Sequence, residues 1–150
     1  DQVRFNLVSR GPLRELVPYA QRHDRLVIAY SPLAQGLLSG RYDPEHLPSG
    51  AIRRGGLLFA PENLRRAAGL IDTLHEIGAA HDATPAQVAL AWLIRHPNVV
   101  AIPGARSVAQ LEANAAAADL ELSDEEASGL VRAAEAFRVD SSLQARLRRS

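Results

Sequence analysis

The sequence predicts an α/β protein built on a parallel sheet, and three observations carry that prediction. Three short runs, QVRFNL (Gln2 to Leu7), RLVIAY (Arg25 to Tyr30) and NVVAIP (Asn98 to Pro103), are rich in Val, Ile or aromatics. They have the length and composition of parallel strands covered on both faces. Longer segments between and after them carry a helical repeat of apolar residues. The resulting order is strand, helix, strand, long loop, two helices, strand, helix, helix. That alternation produces parallel strands joined by right-handed crossovers.

Each connecting element has a local reason. Pro12 to His23 repeats apolar residues at Leu13, Leu16, Val17 and Ala20, and Pro18 inside it is expected to kink or interrupt the helix. Asp43 to Ala60, with two prolines and three glycines, is too long for a simple connector, and such loops are usually functional or mobile. Pro61 to His81 opens on a proline at the first helical position and continues with Leu64, Ala67, Ala68, Ile71, Leu74 and Ile77. Thr84 then caps, and Pro85 starts, a helix reaching His96 that is apolar nearly all round and so predicted to be deeply packed. Ser107 to Gln110 and Ser123 to Glu126 match the capping-box pattern, each opening a further helix. The polar, basic stretch Ser141 to Ser150 is expected to be a loosely held terminus.

Composition limits the function classes. A chain of 150 residues with 47% hydrophobic and 23% charged residues is about one soluble domain. Seventeen basic and seventeen acidic side chains cancel, which leaves no electrostatic case for nucleic acid or an anionic membrane as partner. The chain has no cysteine, so disulfides and Cys-ligated metals are excluded and a cytoplasmic setting is expected. No apolar run approaches the roughly 18 residues of a membrane span, and the polar start DQVRFN is no signal peptide. A start at Asp1 rather than Met raises the expectation that the chain begins inside something larger.

Two stretches combine chemistry with position. In VVAIPGARSVAQLEAN (Val99 to Asn114), a strand ends in Pro-Gly and a capped helix follows. Gly104 permits close backbone approach, the helix start offers N–H groups, and Arg106 adds a forked cation, which together suit a phosphate. A plain strand-to-helix turn with a surface arginine fits the same residues. In YSPLAQGLLSGRY (Tyr30 to Tyr42), Tyr30 ends a strand on the edge where parallel α/β proteins bind ligands. It is either a stacking platform or a core aromatic. Ser31 could donate to a phosphate, and Arg41 could fold back over one. Neither G-x-G-x-x-G nor a P-loop occurs.

Other polar residues have plainer explanations. His75 and His81 are six apart rather than the four of H-E-x-x-H, which argues against zinc. His23, His46 and His96 lie near element ends, and Glu125 and Glu126 suit a helix's first turn. Ala83 to His96 imitates a helix-turn-helix, but Val88 to Leu93 offers nothing to read a base edge.

QVRFNL, VIAYSPLAQGLLSGRY, TPAQVALAWLIRHPNV, AIPGARSVAQLEANAAA and LELSDEE, in that order and spacing, resemble the C-terminal half of an aldo-keto reductase. The resemblance runs nearly end to end, across residues 1–150 as one domain. It implies a partial (β/α)8 TIM barrel, about the last three βα units plus C-terminal helices, with this chain supplying the sixth, seventh and eighth strands. It also implies NADP(H) as cofactor, extended across the strand ends. By the resemblance, Gln2 bonds the nicotinamide carboxamide and Tyr30 stacks on the nicotinamide ring. Ser31, Pro32, Leu33, Ala34, Gln35 and Arg41 cover the pyrophosphate. Gly104 and Arg106 lie near the adenosine 2'-phosphate, and Gln110 and Asn114 hold the adenine end. Ala113 stands where family members often have Glu, with Glu112 one residue away and on a different side of the helix.

The family's catalytic Asp, Tyr, Lys and His come from the first half of the barrel and have no counterpart here. The chain has no lysine, and Tyr19, Tyr30 and Tyr42 sit in other motifs. Carbonyl reduction needs a proton donor at the developing alkoxide, so the chain alone is expected to be inactive and to bind cofactor poorly. Two roles follow. One is the cofactor-gripping half of a carbonyl reductase, completed by the missing N-terminal half or by a self-associating copy. The other is a non-catalytic dinucleotide-binding or regulatory module. A half-barrel leaves two sheet edges and an apolar inner face open, which predicts self-association or poor folding of the isolated chain.

Overall fold

A computed structural model of the protein describes residues 1–49 and 56–139. Part of the long loop and the stretch Ser141 to Ser150 lie outside those residues. Three strands, β1 (Gln2–Arg4), β2 (Val27–Tyr30) and β3 (Val99–Ala101), form a parallel sheet in the order β1-β2-β3. All three predicted strands exist but are shorter than their apolar runs. After β1, for example, Asn6 and Ser9 bond each other through their backbones and turn the chain out of the sheet.

The register separates two faces. Gln2 pairs with Ile28 and Arg4 with Tyr30, while Val27 pairs with Val99 and Ala29 with Ala101. Side chains alternate along a strand, so Phe5, Val27, Ala29 and Val99 fall on one face, and all are buried. Gln2, Arg4, Ile28, Tyr30, Val100 and Ile102 fall on the other, where only Ile28 and no other of these is even half-buried. Among the described residues the helices supply a layer for one face only, as the half-barrel resemblance implies, which corrects the expectation from strand composition of cover on both faces.

That layer centres on two helices. In α2 (Pro61–Ala80; α1 is Leu16–Arg22), Leu64, Ala67, Leu70, Leu74 and Ile77 recur every three or four residues and are buried. In α3 (Pro85–Ile94), Val88 through Leu93 are all buried, as its all-round apolarity predicts. Thr84 and Gln87 form a complete capping box at its start, and Ser123 and Glu126 form another at α5 (Asp124–Ala136; α4 is Val108–Ala116). The His81 Nε2 lies 2.7 Å from the Glu126 Oε1 and ties the end of α2 to the start of α5.

Two local expectations change. Pro12 to His23 is not one helix kinked at Pro18. It is a 3-10 turn at Gly11–Leu13 followed by α1, so the break comes before the proline. Pro18 is the third residue of α1, where a backbone N–H has no partner within the helix and its absence costs little. Ser107 makes only half of a capping box. Its Oγ accepts the Gln110 amide, but the Gln110 Oε1 accepts from the Arg106 amide instead of returning to Ser107.

His96 sits against Phe5 and edge-on to Trp92, with its Nε2 buried and without a hydrogen-bond partner among the described residues. Burial, with Arg95 beside it, holds the imidazole below its usual 6.5. The folded chain then binds fewer protons than the unfolded chain as pH falls below 6.5, so stability is full above that value and declines beneath it. The exposed His46, raised by its Asp43 partner, titrates in the opposite sense. Thermal melts between pH 7 and pH 5 are expected to show falling stability, and His96→Phe is expected to flatten that slope; a slope equal in both proteins contradicts the assignment.

Candidate functional site

The C-terminal ends of the three strands share one rim, because parallel pairing points all three the same way. The chain leaves β1 toward the Asn6–Ser9 turn, β2 into residues 31–40 and β3 into residues 102–107. The Ile102 amide donates to the Ala29 carbonyl at 3.1 Å, which holds the exit of β3 beside Tyr30.

Tyr30 is the last residue of β2, on the uncovered face and 36% exposed. In this chain Tyr30 therefore lies outside the buried core. Gln2 shares that face but pairs with Ile28, one alternation behind the rim. The Arg4 guanidinium, on the neighbouring strand, lies 5.8 Å from the centre of the Tyr30 ring. Arg4, Arg41 and Arg106 have no carboxylate partner among the described residues, unlike Arg10, Arg65 and Arg95.

The loop after Tyr30 is held under strain. Ser31, Ala34 and Gln35 have φ of 51°, 49° and 60°, and Gly36 and Gly40 follow at 104° and 69°. Left-handed backbone at a non-glycine residue costs on the order of 1–3 kcal/mol and persists only when surroundings enforce it. Here Pro32, Ala34, Leu37 and Leu38 are buried. The Ala34 amide donates to the Ser31 carbonyl at 3.0 Å, and the Gly36 amide to that of Leu33 at 2.9 Å. Of the six predicted loop residues, Ser31, Gln35 and Arg41 keep polar side chains at least partly exposed. Pro32, Leu33 and Ala34 serve as anchors. At Gly40 a Cβ would lie 2.7 Å from the His75 Nε2, so the loop returns tightly against α2. His75 thus packs beside the loop, and no cluster of metal-ligating side chains occurs among the described residues.

Sequence reasoning passed over Asn6 and Arg4. Asn6 is buried, its Nδ2 donates to the Ser31 carbonyl at 2.8 Å, and its Oδ1 accepts the Val8 amide at 3.0 Å. The available signal was the last of three polar residues, Gln2, Arg4 and Asn6, that alternate with apolar ones in QVRFNL. Asn6→Ala leaves the Val8 amide unpartnered and removes one of two donors on the Ser31 carbonyl. A loss of about 1–3 kcal/mol is expected in urea unfolding; a variant as stable as the parent contradicts this bracing role.

Beyond β3, Gly104 and Arg106 are exposed ahead of α4, and the space above Gly104 is open, with nothing within 4 Å of a Cβ placed there. Two amides at this helix start are taken, that of Arg106 by Gln110 and that of Gln110 by Ser107. The Gln110 oxygen is thus committed to the turn, and its Nε2 is the end left for a ligand. Gln110 and Asn114, one turn apart, are both half-buried, as is Ala113, while Glu112 is exposed. The structure therefore brings Tyr30, Ser31, Gly104 and Arg106 to one rim formed by adjacent strands, with Gln2 behind it and Gln110 and Asn114 on the helix that follows.

Comparison with known proteins gives the family and the fold. The model of the Aldo/keto reductase family matches residues 1–135. An uncharacterized oxidoreductase of Mycobacterium tuberculosis is 56% identical over 138 residues, covering 92% of this chain and 42% of that protein. A crystal structure of an aldo/keto reductase from Klebsiella pneumoniae in complex with NADP and acetate is 37% identical, with a TM-score of 0.61, over 87% of this chain and 38% of that one. The glycerol dehydrogenase of Gluconobacter oxydans superposes with a TM-score of 0.81 at 24% identity, over 93% of this chain and 43% of that one, which bears on the fold alone. The chain thus spans about two fifths of the length of the relatives it matches, and its three-stranded sheet corresponds to part of their (β/α)8 barrel. No helix among the described residues is long and apolar enough to cross a membrane.

Proposed function

Since the chain belongs to the aldo/keto reductase family, we propose that it is the cofactor-gripping part of an NADP(H)-dependent reductase that acts on an aldehyde or ketone. Residues 1–150 form the C-terminal portion of that barrel domain. The observation that carries this reading is the rim itself, where an exposed aromatic, a strained loop and arginines with no carboxylate partner among the described residues stand on one uncovered edge. Bound there, the cofactor would supply hydride to a carbonyl carbon.

The chain's own residues bind and orient. Tyr30 offers a flat face for the nicotinamide ring, and Gln2, on the same sheet face, offers amide groups to its carboxamide. Ser31, Gln35 and Arg41 line the loop over the pyrophosphate, while Pro32, Leu33 and Ala34 fix that loop's shape. Gly104 leaves room for the 2'-phosphate, and Arg106 supplies charge and forked donors to it. Gln110, through its Nε2, and Asn114 hold the adenine.

Nothing in the chain supplies a proton to the carbonyl oxygen. It has no lysine, Tyr19 stacks on His23, and Tyr42 packs edge-on against Phe59. Catalysis therefore requires the remaining strands with their Asp, Tyr, Lys and His, and the isolated chain is a dinucleotide binder at most. The uncovered Val100 and Ile102, with Val108 and Leu111 nearby in the chain, are exposed apolar groups that favour self-association until those strands cover them. The setting we assign is cytoplasmic.

Fluorescence titration with NADPH tests the proposal, using the chain alone and mixed with a polypeptide carrying the first five strands. Weak binding alone, tightened by tenfold or more in the mixture together with carbonyl reduction, is the expected result. Failure of both preparations to bind NADPH contradicts it.

A further inference from the structure

We propose that Arg4 discriminates between the oxidised and reduced forms of the nicotinamide cofactor, weakening the oxidised one. This rests on the reading that Tyr30 carries the nicotinamide ring. Three observations support it. Arg4 and Tyr30 are register partners on the uncovered face of the sheet. The Arg4 guanidinium lies over the Tyr30 ring, 5.8 Å from its centre. No carboxylate neutralises Arg4 among the described residues.

The reduced nicotinamide ring is neutral. Once hydride has left it with both electrons for a carbonyl carbon, the ring carries a positive charge. A ring stacked on Tyr30 sits with its centre roughly 4.5–7 Å from that of the tyrosine. With the guanidinium on the opposite face of the Tyr30 ring, the two charges are roughly 10–13 Å apart, about one Debye length at 0.1 M ionic strength, so the repulsion is felt most at low salt. Repulsion between the two cations raises the free energy of the oxidised complex only. The π-face of Tyr30 adds to the effect: a cation already held by the ring's quadrupole reduces what a second cation gains from the same ring. Attraction between Arg4 and the cofactor's phosphates is common to both forms and cancels in the ratio of their dissociation constants. Arg4 thus promotes departure of the spent cofactor in the direction of carbonyl reduction.

The test is the ratio of Kd for NADP+ to Kd for NADPH, measured by calorimetry on this chain at protein concentrations that capture weak binding. Arg4→Gln is expected to lower the ratio about twofold to threefold at low salt, whereas Arg4→Lys leaves it unchanged within error. Raising salt from about 0.05 M to about 0.5 M is expected to lower the parent's ratio and leave that of Arg4→Gln unchanged. If both forms bind and the ratio is the same in parent and Arg4→Gln, the role of Arg4 is overturned while the cofactor site stands. If neither form binds the parent chain, alone or mixed with a polypeptide carrying the first five strands, the site and this inference fall together.

Discussion

Replacing Trp92 with alanine is expected to destabilise the chain by about 3–5 kcal/mol, a large share of the 5–15 kcal/mol typical of a domain. Trp92 is 1% exposed and meets Phe5 edge-on, with ring centres 5.9 Å apart, and His96 at 5.1 Å. Its removal opens a cavity between α3 and Phe5, just past β1, that neither ring can fill by rotation alone. The effect reaches the rim, because Phe5 stands between Arg4 and Asn6, and Asn6 holds the Ser31 carbonyl. Urea unfolding followed by circular dichroism checks this. A midpoint within experimental error of the parent's would mean that the aromatic cluster is not the chain's structural centre.

Arg106→Ala is expected to weaken NADPH binding about 10- to 100-fold and to leave NADH binding nearly unchanged. A charge-assisted hydrogen bond contributes about 1.5–3 kcal/mol, and only NADPH carries the 2'-phosphate that would accept it. Arg106 is exposed, and its amide bond to the Gln110 side chain survives truncation, so folding is not expected to change. The pair of titrations separates loss of a specific phosphate contact from general damage to the site. Equal NADPH affinity in parent and variant removes the phosphate assignment.

Much of the fold was legible because local signals coincided with tertiary demand. The all-round apolarity of Val88 to Leu93 foretold a central helix, and Thr84-Pro85 marked its start. Tyr30 could be placed at a strand end because an apolar run stops there and Ser-Pro follows. What escaped depended on groups distant in sequence. The Gln110 oxygen had two amides within reach, Ser107 and Arg106, and a four-residue pattern does not choose between them. The contact of Arg4 with Tyr30 crosses between strands and appears only once register is known. The bare sheet face, by contrast, was legible: the half-barrel resemblance implied an open inner face, which in a complete barrel the side chains of the other strands fill.

Nuclear magnetic resonance mapping of NADPH onto the labelled chain, alone and with the first five strands supplied, tests the central claim most directly. The account predicts saturable amide shifts at Gln2, at Tyr30, Ser31, Leu33 to Gln35 and Arg41, and from Gly104 to Asn114, with α1 and α5 silent. Shifts confined to other surfaces, or none at a concentration where NADPH saturates the mixture, would contradict it.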